Sequence, residues 1–310
     1  MYIVSVASLF LRGAFNVEKN YVIVVDSTTD LSPKLAEEWG LVVIPYIFTL
    51  DGKDYHNYLD YRELPVKDFY TALRGGKLAT TTQVTSYRYM EAWEPILKEG
   101  KDVLYMCLSS QVSKSYDQSV MAANEAMEAY PGRKVVTIDS KAASLGQGLL
   151  AYYAAKARDE GKSLEDNAAY INELIPRLHH WVVPDDLNHL RRGGRVSGAS
   201  AFVGSVLSIK PILTIVEEGK LVPISKVRGW SKAMEHIVGR MDEFKFAPVS
   251  QPVFIAHGDC QDKADQMIAQ ITAKFGTKEF IINEIGPVIG AHAGPGTIAV
   301  MFLGNERAKV

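Results

Sequence analysis

Cysteine is nearly missing from this 310-residue chain. Cys107 and Cys260 are too few for a disulfide framework, and neither has a second Cys or His at metal-ligand spacing. No metal is therefore expected, and a reducing cytoplasm fits best. Long apolar runs are missing too. Tyr2 to Leu11 (YIVSVASLFL) is apolar but too short to span a bilayer, and no Lys or Arg precedes it as in a secretory leader. No charge of one sign dominates: the net charge is −2, without long like-charged runs. That argues against a nucleic acid or a polybasic membrane surface as the main partner. There is no P-loop, no Gly-x-Gly-x-x-Gly after a strand and no Gly-x-Ser-x-Gly elbow. Nucleotide binding is unsupported, no cofactor is expected, and the usual serine-hydrolase signature is absent.

What is present reads as a globular α/β protein. Apolar residues make up 47 % of the chain and charged residues 23 %, and 310 residues exceed what one core usually serves. The pattern divides into an N-terminal extension over 1–19 that need not be ordered, an α/β domain over 20–162 and a second over 163–310. Tyr21 to Val25 is an apolar strand. Ser32 is a candidate N-cap with Pro33 at the first helical position, and Leu41 to Tyr46 is the next strand. This strand–helix–strand opening predicts a mostly parallel sheet. Asp51-Gly52, between short β-type runs, predicts a small hairpin insertion. Ala79 to Ser86 (ATTTQVTS) reads as a hydroxyl-rich loop or N-cap region. The second half alternates helices with strands, one pair joined by a turn at Glu218-Gly219, so its sheet is expected to be mixed.

Three strands of the first half end in polar residues just before a helix: Asp26-Ser27-Thr28-Thr29, Ser109-Ser110 and Asp139-Ser140. The carboxyl ends of parallel strands share one edge, where ligands bind, and helix N-termini there favour an anion. Near the end of the chain, Gly286 to Gly296 holds four glycines and two prolines around His292. That density predicts a stiff loop rather than a helix, leading into the apolar strand Thr297 to Leu303. The residues thus supply hydroxyls, helix N-termini and one imidazole, a set suited to a carboxylate or phosphate. A nucleophile formed by Ser110 or Ser113 with His292 stays open, though no Asp stands out to orient it.

Seven motifs occur in order: VVDSTTDLS from Val24, TTTQVTS from Thr80, LSSQVSKSY from Leu108, LRRGGRVSG from Leu190, SIKPIL from Ser208, KVRG from Lys226 and IGAHAGPG from Ile289. Together they resemble the DegV family of bacterial fatty-acid-binding proteins, over about Tyr21 to Gly304. The resemblance implies two α/β domains with a long-chain fatty acid between them, its tail in an apolar tunnel. It implies head-group contacts from Thr81, Ser110 or Ser113, and His292, supported by Ser27, Thr28, Thr82, Gly290 and Gly294. It implies no catalytic residue in this chain. A separate fatty-acid kinase subunit would phosphorylate the bound carboxylate, with Arg191, Arg192 and Arg195 as candidate contacts to that partner. Exchange of ligand would involve transient contact with a membrane surface. Lys114 stands where many members have glycine, and its ammonium is expected in solvent. Two other readings remain: a Ser/His esterase or thioesterase, and, by analogy with dihydroxyacetone kinases, a binder of small carbonyl compounds.

Overall fold

A computed structural model describes residues 20–197, 208–247 and 251–307. The extension over 1–19 lies outside the described residues, as does the segment Ala199 to Leu207, for which the sequence predicts a helix.

Four parallel strands form the first sheet, in the order Leu41–Ile44, Tyr21–Asp26, Asp102–Cys107, Val135–Asp139. Its central strands, YVIVVD and DVLYMC, are almost wholly buried, as expected of parallel strands covered on both faces. The helix Pro33–Glu38 between the first two starts as its sequence predicts: Ser32 Oγ accepts from Leu35 N at 3.3 Å, and Pro33 opens the first turn.

A small antiparallel sheet sits beside it. Ile47–Leu50 pairs with Lys53–His56 across Asp51 and Gly52, both at positive φ, as a tight hairpin turn of this kind requires. A third strand, Ala79–Thr82, pairs with the other side of Ile47–Leu50. This corrects the loop reading of that segment. β-Branched threonines favour an extended backbone, and the hairpin edge offers a row of free backbone donors and acceptors. The irregular stretch begins only at Gln83.

The last sheet is mixed and six-stranded, in the order Leu221–Arg228, Ile209–Ile215, Leu178–Val183, Ile298–Leu303, Val253–His257, Phe280–Glu284. Only its final pair is parallel. The helix Leu145–Asp159 lies between this sheet and the first and touches both. It is buried nearly all round, which its small residues allow. Gly148 packs on Leu31, and Gly146 lies so close to the His180 ring that no Cβ would fit.

Asp30 ties the two halves together. Its carboxylate accepts from Ser144 Oγ at 2.5 Å and Gly286 N at 2.9 Å, and its carbonyl from Asn283 Nδ2 at 2.8 Å. Burial pushes the carboxyl up to about 7 despite the hydrogen bonds from Ser144 and Gly286. A folded pKa above the unfolded value means that the proton favours folding. This contribution is complete below about pH 4 and is lost as pH rises to about 7. Asp30→Asn keeps the acceptor for Gly286 and removes the titration. Its Tm, measured by thermal scans, should therefore fall less than the wild type's between pH 5 and 8; parallel profiles would contradict this account.

Candidate functional site

His292 stands on a short helix, Pro287–Ala293, and not on a loop. The glycines and prolines read as breakers punctuate its ends instead. Gly286 is the N-cap, Pro287 occupies the first turn where a missing N–H costs nothing, and Gly294 takes φ +79° just past the end. The interior Gly290 answers to packing: a Cβ there would come within 2.7 Å of Tyr70 Oη, which itself donates to Ile285 O at 2.7 Å.

That helix end places His292 Nε2 2.9 Å from Thr81 Oγ1 on the small sheet. On the ring's other side lies Gly193, where a Cβ would overlap His292 Nδ1. Gly193 follows the short helix Asn188–Arg192, which Gly193 and Gly194 end, the latter at φ +67°. Burial depresses the imidazole to about 4, with the Arg195 guanidinium adding to the effect. The ring is therefore neutral at pH 7 and carries one N–H.

Thr81, His292 and Ser113 line one cavity of about 330 Å³, within the usual range of small-molecule sites. It opens between the sheets, with walls from both halves of the chain. Other polar residues on its wall include Thr82, Gln83, Ser144 and Arg195. Leu108, Val182, Ile215, Val288 and Met301 are among the apolar residues lining the rest. Ser113 Oγ donates to Ser115 Oγ at 3.0 Å, and Tyr46 lines the same wall.

The other hydroxyls of the strand ends turn toward one another. Ser110 is not on the cavity wall: its Oγ donates to Asp139 Oδ2 at 2.6 Å and its N–H to Oδ1 at 3.1 Å. Ser27 Oγ accepts from Tyr46 N at 3.0 Å, so it positions a wall residue without reaching the wall. Thr28 donates to Asp26 and to Gln147, the latter at 2.9 Å. Asp26 also accepts from Tyr105 Oη at 2.9 Å and Leu108 N at 3.3 Å; burial raises its carboxyl pKa against those bonds. Gly294 lies against His189.

The arginines separate. Arg195, though exposed, lines the cavity and donates to Val112 O at 3.3 Å and Gly193 O at 2.5 Å, which joins the two segments. Arg191 and Arg192 stay exposed, with only local partners in Asn188 and His189. Lys114 stands at the rim with 76 % of its side chain exposed, 3.5 Å from Asp117.

The family model of the DegV proteins, described there as uncharacterised, matches residues 20–305. The chain belongs to the DegV family. A DegV domain-containing protein of Clostridium perfringens is 38 % identical over 289 residues, 93 % of this chain and 99 % of that protein. Among solved structures, a DegV family protein from Thermus thermophilus, described by its fatty-acid binding, is 29 % identical with a TM-score of 0.82, covering 92 % of this chain and 99 % of that one. DegV of Bacillus subtilis, described as a fatty-acid-binding protein, is 30 % identical with a TM-score of 0.78 at the same coverage. Among the described residues of this DegV protein no His, Cys, Asp and Glu cluster could hold a metal, and no helix is long and apolar enough to cross a membrane.

Among the wall residues that sequence reasoning missed are Tyr46, Ser144 and His180. The sequence alone predicts a short strand only over Trp181 to Pro184, whereas the strand carrying His180 runs from Leu178 to Val183. The alternation of His180 and Val182 was the available signal.

Proposed function

We propose that this DegV protein binds a long-chain fatty acid in the cavity and presents its carboxylate to a separate kinase. The observation that carries the reading is a mostly apolar cavity whose wall also holds the Thr81–His292 pair and Ser113. A sixteen-carbon tail buried at ~0.8 kcal/mol per CH₂ gains on the order of 11 kcal/mol before entropic costs. Each hydrogen bond to the charged head adds roughly 1.5–3 kcal/mol. The tail thus supplies most of the affinity, and the mouth decides which end faces out. A neutral His292 protonated on Nε2 donates to Thr81 Oγ1 and leaves the Thr81 hydroxyl proton for the carboxylate, with the Arg195 guanidinium supplying positive charge nearby. The kinase would transfer the γ-phosphoryl group of ATP to a carboxylate oxygen, leaving an acyl phosphate and ADP. Arg191 and Arg192, exposed beside the mouth, are the candidate contacts to that partner. The relatives described as fatty-acid-binding support the ligand class. The pairing of His292 with Thr81 rather than with a serine supports binding over hydrolysis.

Mass spectrometry of the purified protein, native and denatured, tests the reading. A fatty acid should be released. A protein that is empty and ignores added palmitate would overturn it, as would steady turnover of a nitrophenyl acyl ester. His292→Ala should still co-purify with lipid but fail to yield acyl phosphate with a kinase subunit; undiminished acyl phosphate would show that His292 has no part in presenting the carboxylate.

A further inference from the structure

The two aspartates of VVDSTTDLS hold pieces of the cavity wall without lining it. Asp26 Oδ2 accepts from Leu108 N at 3.3 Å, where the wall segment leading to Ser113 begins. Asp30 holds more. Its Oδ2 accepts from Ser144 Oγ at 2.5 Å, and Ser144 is itself a wall residue. Its Oδ1 accepts from Gly286 N at 2.9 Å, and Gly286 caps the helix Pro287–Ala293. Ile285, Val288, Ile289 and His292, all on the wall, belong to that stretch. One buried carboxyl group thus joins two wall segments that lie far apart in sequence.

Both partners are built for this contact. Ser144 has φ +56° and ψ −145°, a backbone region that residues other than glycine rarely occupy and that persists only where the surroundings hold it. Gly286 has φ −68°, which any residue can adopt, so its reason is space: a Cβ there would come within 2.8 Å of Asp30 Oδ1. The main chain of Asp30 fixes the approach as well, its carbonyl accepting from Asn283 Nδ2 at 2.8 Å. The helix carries this placement to the ligand. His292 lies six residues past Gly286, roughly 9 Å at ~1.5 Å per residue, and its Nε2 meets Thr81 Oγ1 at 2.9 Å. Tyr70 Oη still holds the Ile285 carbonyl, so without Asp30 the helix would pivot rather than unfold. A shift of about 1 Å at His292 is enough to break a hydrogen bond of that length.

We propose that Asp30 is the positioning residue of the carboxylate site, setting the Thr81–His292 pair through Gly286 and a second stretch of wall through Ser144. The proposal rests on the fatty-acid reading and adds to it the residue that keeps the polar groups in place. The role belongs to the acceptor oxygen and not to the charge. A neutral carboxyl still offers Oδ1 to the Gly286 N–H and donates its proton to Ser144 Oγ, and the amide of an asparagine does the same.

The test is a displacement titration with a fluorescent fatty acid, in which palmitate and hexadecan-1-ol compete. The two share a tail and differ in the head. Asp30→Ala should weaken palmitate about tenfold and hexadecanol less than about twofold, while Asp30→Asn should stay within about twofold of the wild type for both. Gly286→Ala leaves the carboxyl group in place but crowds it off the backbone N–H. It should repeat the selective loss, and it carries the test if Asp30→Ala does not fold. In the His292→Ala background, Asp30→Ala should cost palmitate nothing further. A merely structural Asp30 would lower Tm and weaken both ligands alike, or neither. Either result in the folded variants would overturn the proposal and leave the fatty-acid reading standing. So would an asparagine variant as weak as alanine, or a full loss in the His292→Ala background. Failure of the wild type to bind palmitate would overturn both.

Discussion

Gly193→Val is expected to lower the affinity for palmitate tenfold or more while leaving the fold in place. Gly193 has φ −70°, so its backbone accepts any residue, and the penalty falls on the imidazole it packs against. A side chain there must overlap His292 Nδ1. Either the ring leaves Thr81 or the Arg195 segment leaves the mouth. Losing a hydrogen bond to a charged head costs roughly 1.5–3 kcal/mol, about ten- to a hundredfold in affinity. Gly193→Ala should fall between wild type and valine. In His292→Ala the valine has nothing to displace, so the double mutant should bind no worse than His292→Ala alone. Independent, additive losses in that cycle would refute the steric account.

The largest loss of stability is expected at Arg307. This guanidinium is buried near the end of the described chain. It donates from Nη1 to the carbonyls of Lys141, Ile215 and Val216 at 3.3, 3.5 and 3.3 Å, and from Nη2 to Ile175 O at 2.5 Å. One side chain thus joins the loop after the first sheet to the hairpin of the last sheet. Burial pulls its pKa down to about 10, so it stays charged at neutral pH. Arg307→Ala leaves several buried carbonyls unpaired and opens a cavity. The cost should be about 3 kcal/mol or more, a fall in Tm of roughly 5–10 °C. Arg307→Lys keeps the charge but loses the fork and should recover only part of it. Thermal scans of both variants decide the matter, and an alanine variant melting with the wild type would show that Arg307 bears no such load.

Where the chain could be read locally, reading and structure agree. The apolar run from Tyr21, the N-cap Ser32 with Pro33, and the Asp51-Gly52 turn all lie where their residues predict them. Each is decided by its own side chains and backbone preferences. The misreadings came where neighbours from elsewhere decide. ATTT became a strand because an unpaired hairpin edge lay beside it. The Gly/Pro segment around His292 became a helix because its breakers fall at the ends and its one interior glycine meets Tyr70.

The sequence by itself determined the α/β class, the parallel first sheet, the mixed last sheet and the family, since these rest on residue order and short-range periodicity. Tertiary structure alone decided which polar groups face the cavity. Thr81 and His292, 211 positions apart, meet at 2.9 Å, while Ser110, equally polar on paper, is held by Asp139. Nor could residue order show that Arg195 bonds Val112 across the cavity wall or that the buried His180 ring stands unpaired. Such placements follow from how two sheets pack across one buried helix, where a missing Cβ at Gly146 or Gly193 opens the space a ring occupies.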